Sequence, residues 1–259
     1  MFIKTHYPYI YPFCKPIAGS KSLVLVRNPF DSMVSIWQLS VNMTHTRSML
    51  NDFPNEFPEE WDWFVKEHIK VFNGFYDFWM EQSKSGNHPV HFIRFEDILT
   101  HQKDVTLGAF EFSLGKESLK GKYLEKRIDN LLEDTSKTGI YKPRSGKFNA
   151  SAKYFNAEHQ ELVKQGVKKW ALFFGYGQLP GEEEDEYTVF KYDEATEEER
   201  ALSRQMKNYN KKMMDEITQN KEQVNLELHQ KDQTNGLNIP ITEIAAVKLK
   251  HLKPQIRME

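Results

Sequence analysis

Near the start the chain reads Lys4-Thr5-His6-Tyr7-Pro8, and 21 positions after His6 comes Arg27-Asn28-Pro29-Phe30-Asp31, with Ser35 eight beyond Arg27. Between them, Leu23-Val24-Leu25-Val26 is an apolar run of the kind that forms a buried parallel strand. A strand that ends in Arg-Asn-Pro and opens a helix aims a cation and free backbone N–H groups at one place, which suits an anion. A histidine at the end of a neighbouring strand would then stand beside a bound phosphate as a general base. A second group of cations follows later. Lys137, Lys142, Arg144, Lys147 and Lys153 fall within 17 residues that contain no acid, and Gly139, Pro143 and Gly146 make this stretch a loop. Such a loop can bring both charge and backbone N–H groups to a phosphate.

These residues resemble the PAPS-dependent sulfotransferases, which move a sulfuryl group from 3′-phosphoadenosine 5′-phosphosulfate (PAPS) to an acceptor hydroxyl or amine. The resemblance implies that His6 is the catalytic base and Lys4 the cation near the sulfuryl group. It implies that Arg27 and Ser35, from an R-N-P-x-D-x-x-x-S segment, hold the 3′-phosphate. Arg144-Ser145-Gly146, with Phe155 eleven residues after the arginine, matches the family's R-x-G loop, so Arg144, Ser145 and Gly146 would close over that phosphate, with Lys147 beside them. The family's Gly-Asp-Trp after R-x-G is Asn149-Ala150-Ser151 here, which puts the ordering of this loop in question. Phe95-Glu96-Asp97-Ile98 resembles the family's aromatic-E-D turn and makes Phe95 a candidate near the adenine. Asp31 reads as an ordinary first-turn acid favoured by the helix dipole, and Glu96-Asp97 as a helix cap pair. The implied fold is α/β, a three-layer parallel-sheet P-loop-like domain; PAPS is the implied co-substrate and no metal is required.

The family's 5′-phosphosulfate loop lies upstream of the K-T-H strand and has no counterpart in this sequence. Gly19-Ser20-Lys21-Ser22 precedes a strand, whereas a phosphate cradle links a strand to a following helix. The expectation is therefore an incomplete N-terminus, with neighbouring strands leaving unpaired edges and apolar faces. The alternatives are a catalytically inactive, sulfotransferase-derived nucleotide-binding or scaffold protein, and a phosphotransferase of the wider P-loop kinase fold. The last would need a G-x-x-x-x-G-K-S/T segment, and none occurs.

The elements that must position these groups can be read from periodicity. Strands are expected over 2–4, 23–26 and 90–95, and helices over 29–41, with Asn28 as N-cap, 59–83, 123–133 and 157–174, the last ending at Gly175. Trp61, Phe64, Val65, Phe72, Phe75, Tyr76 and Trp79 give the second helix one aromatic face, which is a core signature. Residues 1–178 read as the sulfotransferase-like domain and 179–259 as a charged C-terminal extension. Within the latter, 182–199 carries ten acids against one lysine and reads as solvated, followed by a polar helix-prone stretch over 198–230.

Composition excludes several classes. The formal net charge of −2 argues against a general polyanion binder such as a nucleic-acid protein, so any phosphate site must be local. Cys14 is the only cysteine, which rules out an internal disulfide and thiolate clusters. His45, His68 and His91 are not at metal-ligand spacing. No run reaches the roughly 18 apolar residues of a membrane span, and no signal-peptide core is evident. The expected compartment is the cytoplasm, or the Golgi if an upstream targeting segment exists. The acceptor, whether small molecule, carbohydrate or protein, leaves no mark in the sequence.

Overall fold

The computed structural model describes residues 20–43, 52–84, 88–133 and 147–235, with side chains to 220. Lys4, His6, Arg144, Ser145 and Gly146 lie outside these residues, as does the strand expected over 2–4. By contact the chain divides into Met1–Asp215 and Glu216–Glu259; the described part of the second is helical, 216–235. Among the described residues no helix is long and apolar enough to cross a membrane.

Mixed helices and parallel strands make this an α/β fold. Strand β1 (Ser22–Val26) pairs in parallel with β2 (Val90–Arg94), from Ser22 opposite Val90 to Val26 opposite Arg94. The connection runs through α1 (Pro29–Asn42), α2 (Phe53–Glu56) and α3 (Pro58–Lys84). Parallel neighbours require such a crossover, and it brings both strand C-termini to one edge. Val24, Val26, Val90 and Phe92 point into the core. The opposite face of β1 is open among the described residues, with Leu23 37% and Leu25 54% exposed. A run expected to be buried on both sides is thus, among the described residues, buried on one.

Helix α3 supplies the wall beneath the strands. Trp61, Val65, His68, Ile69, Phe72 and Tyr76 are buried at helical spacing, and each large apolar side chain sequestered in this way contributes about 1.5–3 kcal/mol. Two histidines of this unit are neutral, His68 buried and His91 half-buried. His68 stacks on Phe64 and His91 lies against Phe112, with ring centroids 5.0 Å apart in each case, and burial pushes both imidazoles down to about 4. Between pH 6.5 and 4 the unfolded chain protonates these rings while the folded chain does not. Unfolding then takes up protons, so their contribution is full above about pH 6.5 and is lost as pH falls towards 4. Each histidine accounts for at most about 3 kcal/mol over that window. His68→Phe, which keeps the stack on Phe64, should therefore flatten the fall of the urea midpoint between pH 7 and 4.5. An unchanged pH slope in that variant would refute the assignment.

Beyond β2 come α4 (Phe95–Thr100), α5 (Gln102–Leu114) and α6 (Tyr123–Glu133). The helix expected over 157–174 is two helices, α7 (Ala157–Gly166) and α8 (Lys168–Phe174), interrupted at Val167. The cause is α3. A Cβ at Gly166 would lie 2.6 Å from Ile69 Cγ2, and Asn73 Nδ2 donates to the Gly166 carbonyl at 2.8 Å, drawing it out of the helical ladder. Gly175 ends α8 in the left-handed conformation, φ +80°, a glycine C-cap as expected.

The acidic stretch is not simply solvated. Strand β3 (Gly177–Gln178) pairs in parallel with β4 (Phe190–Lys191), and Leu179, Tyr187, Phe190 and Tyr192 are all buried. Helix α9 (Glu197–Leu202) follows with a Thr196–Glu199 capping box, then α10 (Met206–Asn235). Asn210 at the start of α10 behaves like a peptide unit of a third strand. Its Oδ1 accepts from the Phe92 N–H at 3.0 Å and its Nδ2 donates to the Phe92 carbonyl at 2.7 Å. The edge of β2 away from β1 is thereby satisfied at that residue.

Candidate functional site

Two arginines stand at the shared edge where β1 and β2 end, and they differ in what remains of their donors. Arg94, on β2, is 5% exposed, and each of its three nitrogens has an acceptor. Its Nε and Nη2 donate to the two Asp97 oxygens at 2.9 Å each, its Nη1 donates to the Phe174 carbonyl at 3.1 Å, and its guanidinium lies 4.1 Å from the centre of the Tyr187 ring. Arg27, one residue past β1, lies over the Phe95 ring at 4.8 Å, and its Nε is buried with no hydrogen-bond partner among the described residues. A buried guanidinium nitrogen without an acceptor costs roughly 1–3 kcal/mol or more. Arg27 is thus a cation steadied by an aromatic ring, whose Nε has no acceptor among the described residues.

The helix start behind it is fully occupied. Pro29 has no N–H; the N–H groups of Phe30 and Asp31 donate to Asn28 Oδ1 at 2.9 and 3.4 Å, and that of Ser32 donates to the Asn28 carbonyl. The Asn28 N–H donates to Glu96 Oε1 at 3.0 Å. The expectation that α1 offers free backbone donors to an anion is therefore corrected. The cap consumes them, and what α1 offers is its dipole and the Arg27 side chain. Ser35 is half-buried two turns into α1, on the same face as Asp31 at i, i+4 spacing.

Asp31 and Glu96, read from sequence as routine helix-start acids, have other partners. Asp31 is 4% exposed; its Oδ2 accepts from the Asn149 N–H and its Oδ1 from the Ser151 N–H, both at 2.9 Å. Glu96 is 2% exposed, and its Oε2 accepts from the Tyr176 hydroxyl at 2.6 Å. Burial first, and the Glu96 charge second, hold the Tyr176 hydroxyl well above the ordinary tyrosine range, so it remains a donor. Through Glu96 the ends of β1 and β2 and the segment after α8 are joined at one carboxylate. Asn28 already capped α1, so an acid in its first turn was redundant as a cap. That redundancy was the available signal for Asp31.

The basic loop enters the described residues at Lys147, which is exposed. Asn149 takes a left-handed backbone, φ +52°, where the resembled family has glycine. Asparagine is among the side chains that reach this conformation most readily, and here its Oδ1 also accepts from Asn28 Nδ2 at 3.4 Å. Phe155 packs on Phe30 at 4.7 Å and on Trp61 at 5.0 Å, closing the segment onto the core. The structure thus brings together Arg27, Phe95 and the stem of the loop that carries Lys147.

A sulfotransferase-domain family model matches residues 1–181. No curated protein and no solved structure matches the chain.

Proposed function

This chain belongs to the sulfotransferase family, and from that premise we propose that it transfers a sulfuryl group from PAPS to an acceptor hydroxyl or amine. The observation that carries the nucleotide reading is the contrast between Arg94, each of whose nitrogens donates to Asp97 or Phe174, and Arg27, whose buried Nε has no acceptor among the described residues. An anionic oxygen at that place fits a guanidinium, which can bind phosphate bidentately. In open α/β sheets ligands bind at the C-terminal edge of parallel strands, where Arg27 stands. In this reading β1 and β2 belong to a three-layer P-loop-like sheet.

Arg27 and Ser35 would hold the 3′-phosphate together with Arg144, Ser145, Gly146 and Lys147 from the basic loop. Phe95 would support Arg27 from below and border the adenine. His6 would take the acceptor proton as the acceptor oxygen bonds to sulfur and the bond from sulfur to the 5′-phosphate oxygen breaks, leaving 3′-phosphoadenosine 5′-phosphate (PAP). Lys4 would balance the charge that grows on the leaving phosphate.

Calorimetric titration with PAP and with adenosine 5′-phosphate tests the reading, because the two differ only in the 3′-phosphate. PAP should bind the tighter by about 10- to 100-fold, the equivalent of roughly 1.5–3 kcal/mol for hydrogen bonds to a charged group. Arg27→Ala should erase most of that margin. Equal affinities in the wild-type chain would end the assignment.

A further inference from the structure

We infer that Asp31 is a positioning residue of the nucleotide site: its carboxylate clamps the segment Asn149–Ser151 to the first turn of α1, and so sets where the adjacent Lys147 meets the 3′-phosphate. The inference rests on the nucleotide reading above for its ligand, but the clamp itself rests on geometry. Both carboxylate oxygens are engaged, each by a backbone N–H from residues 118 and 120 positions away, at 2.9 Å. Alternate N–H groups converging on one anion form a nest, a backbone concavity that elsewhere binds phosphate. Here the nest of the loop is filled by the chain's own acid. The Asn149 and Ser151 N–H groups are consequently unavailable to a nucleotide.

Electrostatics make the arrangement informative. A carboxylate one helical turn from Arg27 would repel an incoming phosphate if its charge were open. Asp31 is 4% exposed and saturated by donors, so its charge is directed at the loop. It also has no work left as a cap, since Asn28 Oδ1 already accepts from Phe30 and Asp31. The clamp is reinforced by Asn28 Nδ2 to Asn149 Oδ1 at 3.4 Å and by the Phe148 ring, 5.8 Å from that of Tyr187. Lys147 is thus the last residue before a stem fixed on three sides.

Asp31→Asn in the full chain is the test. Asparagine has the same shape but sets an amide N–H against one of the two loop donors, which opens half of the clamp. The first measurement is the ratio of PAP to adenosine 5′-phosphate affinity; the second is the rate of tryptic cleavage after Lys147, which requires no ligand. In the variant the ratio should fall at least fivefold, with adenosine 5′-phosphate affinity unchanged, and cleavage should quicken several-fold. An unchanged ratio beside a discriminating wild type overturns the inference, as does unchanged cleavage. A variant unfolded by circular dichroism also overturns it, since Asp31 would then be essential to folding. If the wild type itself shows no preference for PAP, the nucleotide reading falls, and the cleavage rate alone upholds or overturns the clamp.

Discussion

Alanine at His6 is expected to slow sulfuryl transfer by about 10²- to 10⁴-fold, the usual range for loss of a general base, while PAP affinity stays within about twofold of wild type. The acceptor hydroxyl is a poor nucleophile until its proton is removed, and no other group in the proposed arrangement is a base. Lys4, Arg27, Arg144 and Lys147 are all cations. The nucleotide, by contrast, would be held by the arginine side chains and the loop, none of which depends on the imidazole. Arg27→Ala should produce the opposite pattern, a weakened 3′-phosphate contact with the proton transfer intact once PAPS is saturating. Single-turnover rates with labelled PAPS, set beside calorimetry with PAP, separate the two variants. The wild-type rate should also fall as acid protonates the imidazole, because only the neutral ring accepts a proton. A His6→Ala protein with the wild-type rate would remove the base from the mechanism. A wild type that binds PAP and turns over no acceptor would replace transfer by a nucleotide-binding role.

The elements that carry Arg27 were legible because several local signals agree over a short stretch. An apolar run, Asn28 at the cap and Pro29 at the first helical position leave little choice but strand, turn and helix, and the structure has β1 and α1 there. The long helix α3 was legible for the same reason, its aromatic spacing being repeated over about five turns. Partners distant in sequence were not legible. Nothing local announces that Gly166 faces Ile69, so the break between α7 and α8 was invisible. The acids of 182–199 dominated its composition, yet Tyr187, Phe190 and Tyr192 decide its fate. A strand of two residues and three anchoring rings suffice to hold it, while the acids stay at the surface or pair, as Glu184 does with Lys191. Asn210 is a single amide whose role exists only once Phe92 lies opposite it. At the candidate site the same limit applied. Residue types identified Arg27, but the use of the α1 N–H groups by Asn28, and of the loop N–H groups by Asp31, depends on pairings that no motif contains.

Glu96 is the residue on which the structural side of the site depends most, and Glu96→Ala is expected to cost about 4 kcal/mol. The carboxylate bridges the Asn28 N–H, at 3.0 Å, and the Tyr176 hydroxyl, at 2.6 Å, in a place only 2% exposed. Truncation strands two buried donors at roughly 1–3 kcal/mol each, and no water-accessible route relieves them. Glu96→Gln should behave quite differently. Its amide oxygen can accept from Asn28, and its amide nitrogen can donate to the Tyr176 oxygen once the hydroxyl turns, so each partner keeps one hydrogen bond and the cost should remain below about 1.5 kcal/mol. Tyr176→Phe should fall between the two, because it leaves one carboxylate oxygen without its donor. Combined with Glu96→Gln it should be less than additive, as expected for groups that share one hydrogen bond. Urea denaturation of the four proteins measures the cycle. The consequence reaches the nucleotide site through Asn28, whose N–H is tethered to Glu96 and whose neighbour is Arg27. Losing the tether frees the turn that aims the guanidinium, so Glu96→Ala should weaken PAP binding as well as folding, whereas Glu96→Gln should spare both. Alanine and glutamine variants of equal stability would show that the carboxylate is a filler of space and not the joint between the two strand ends.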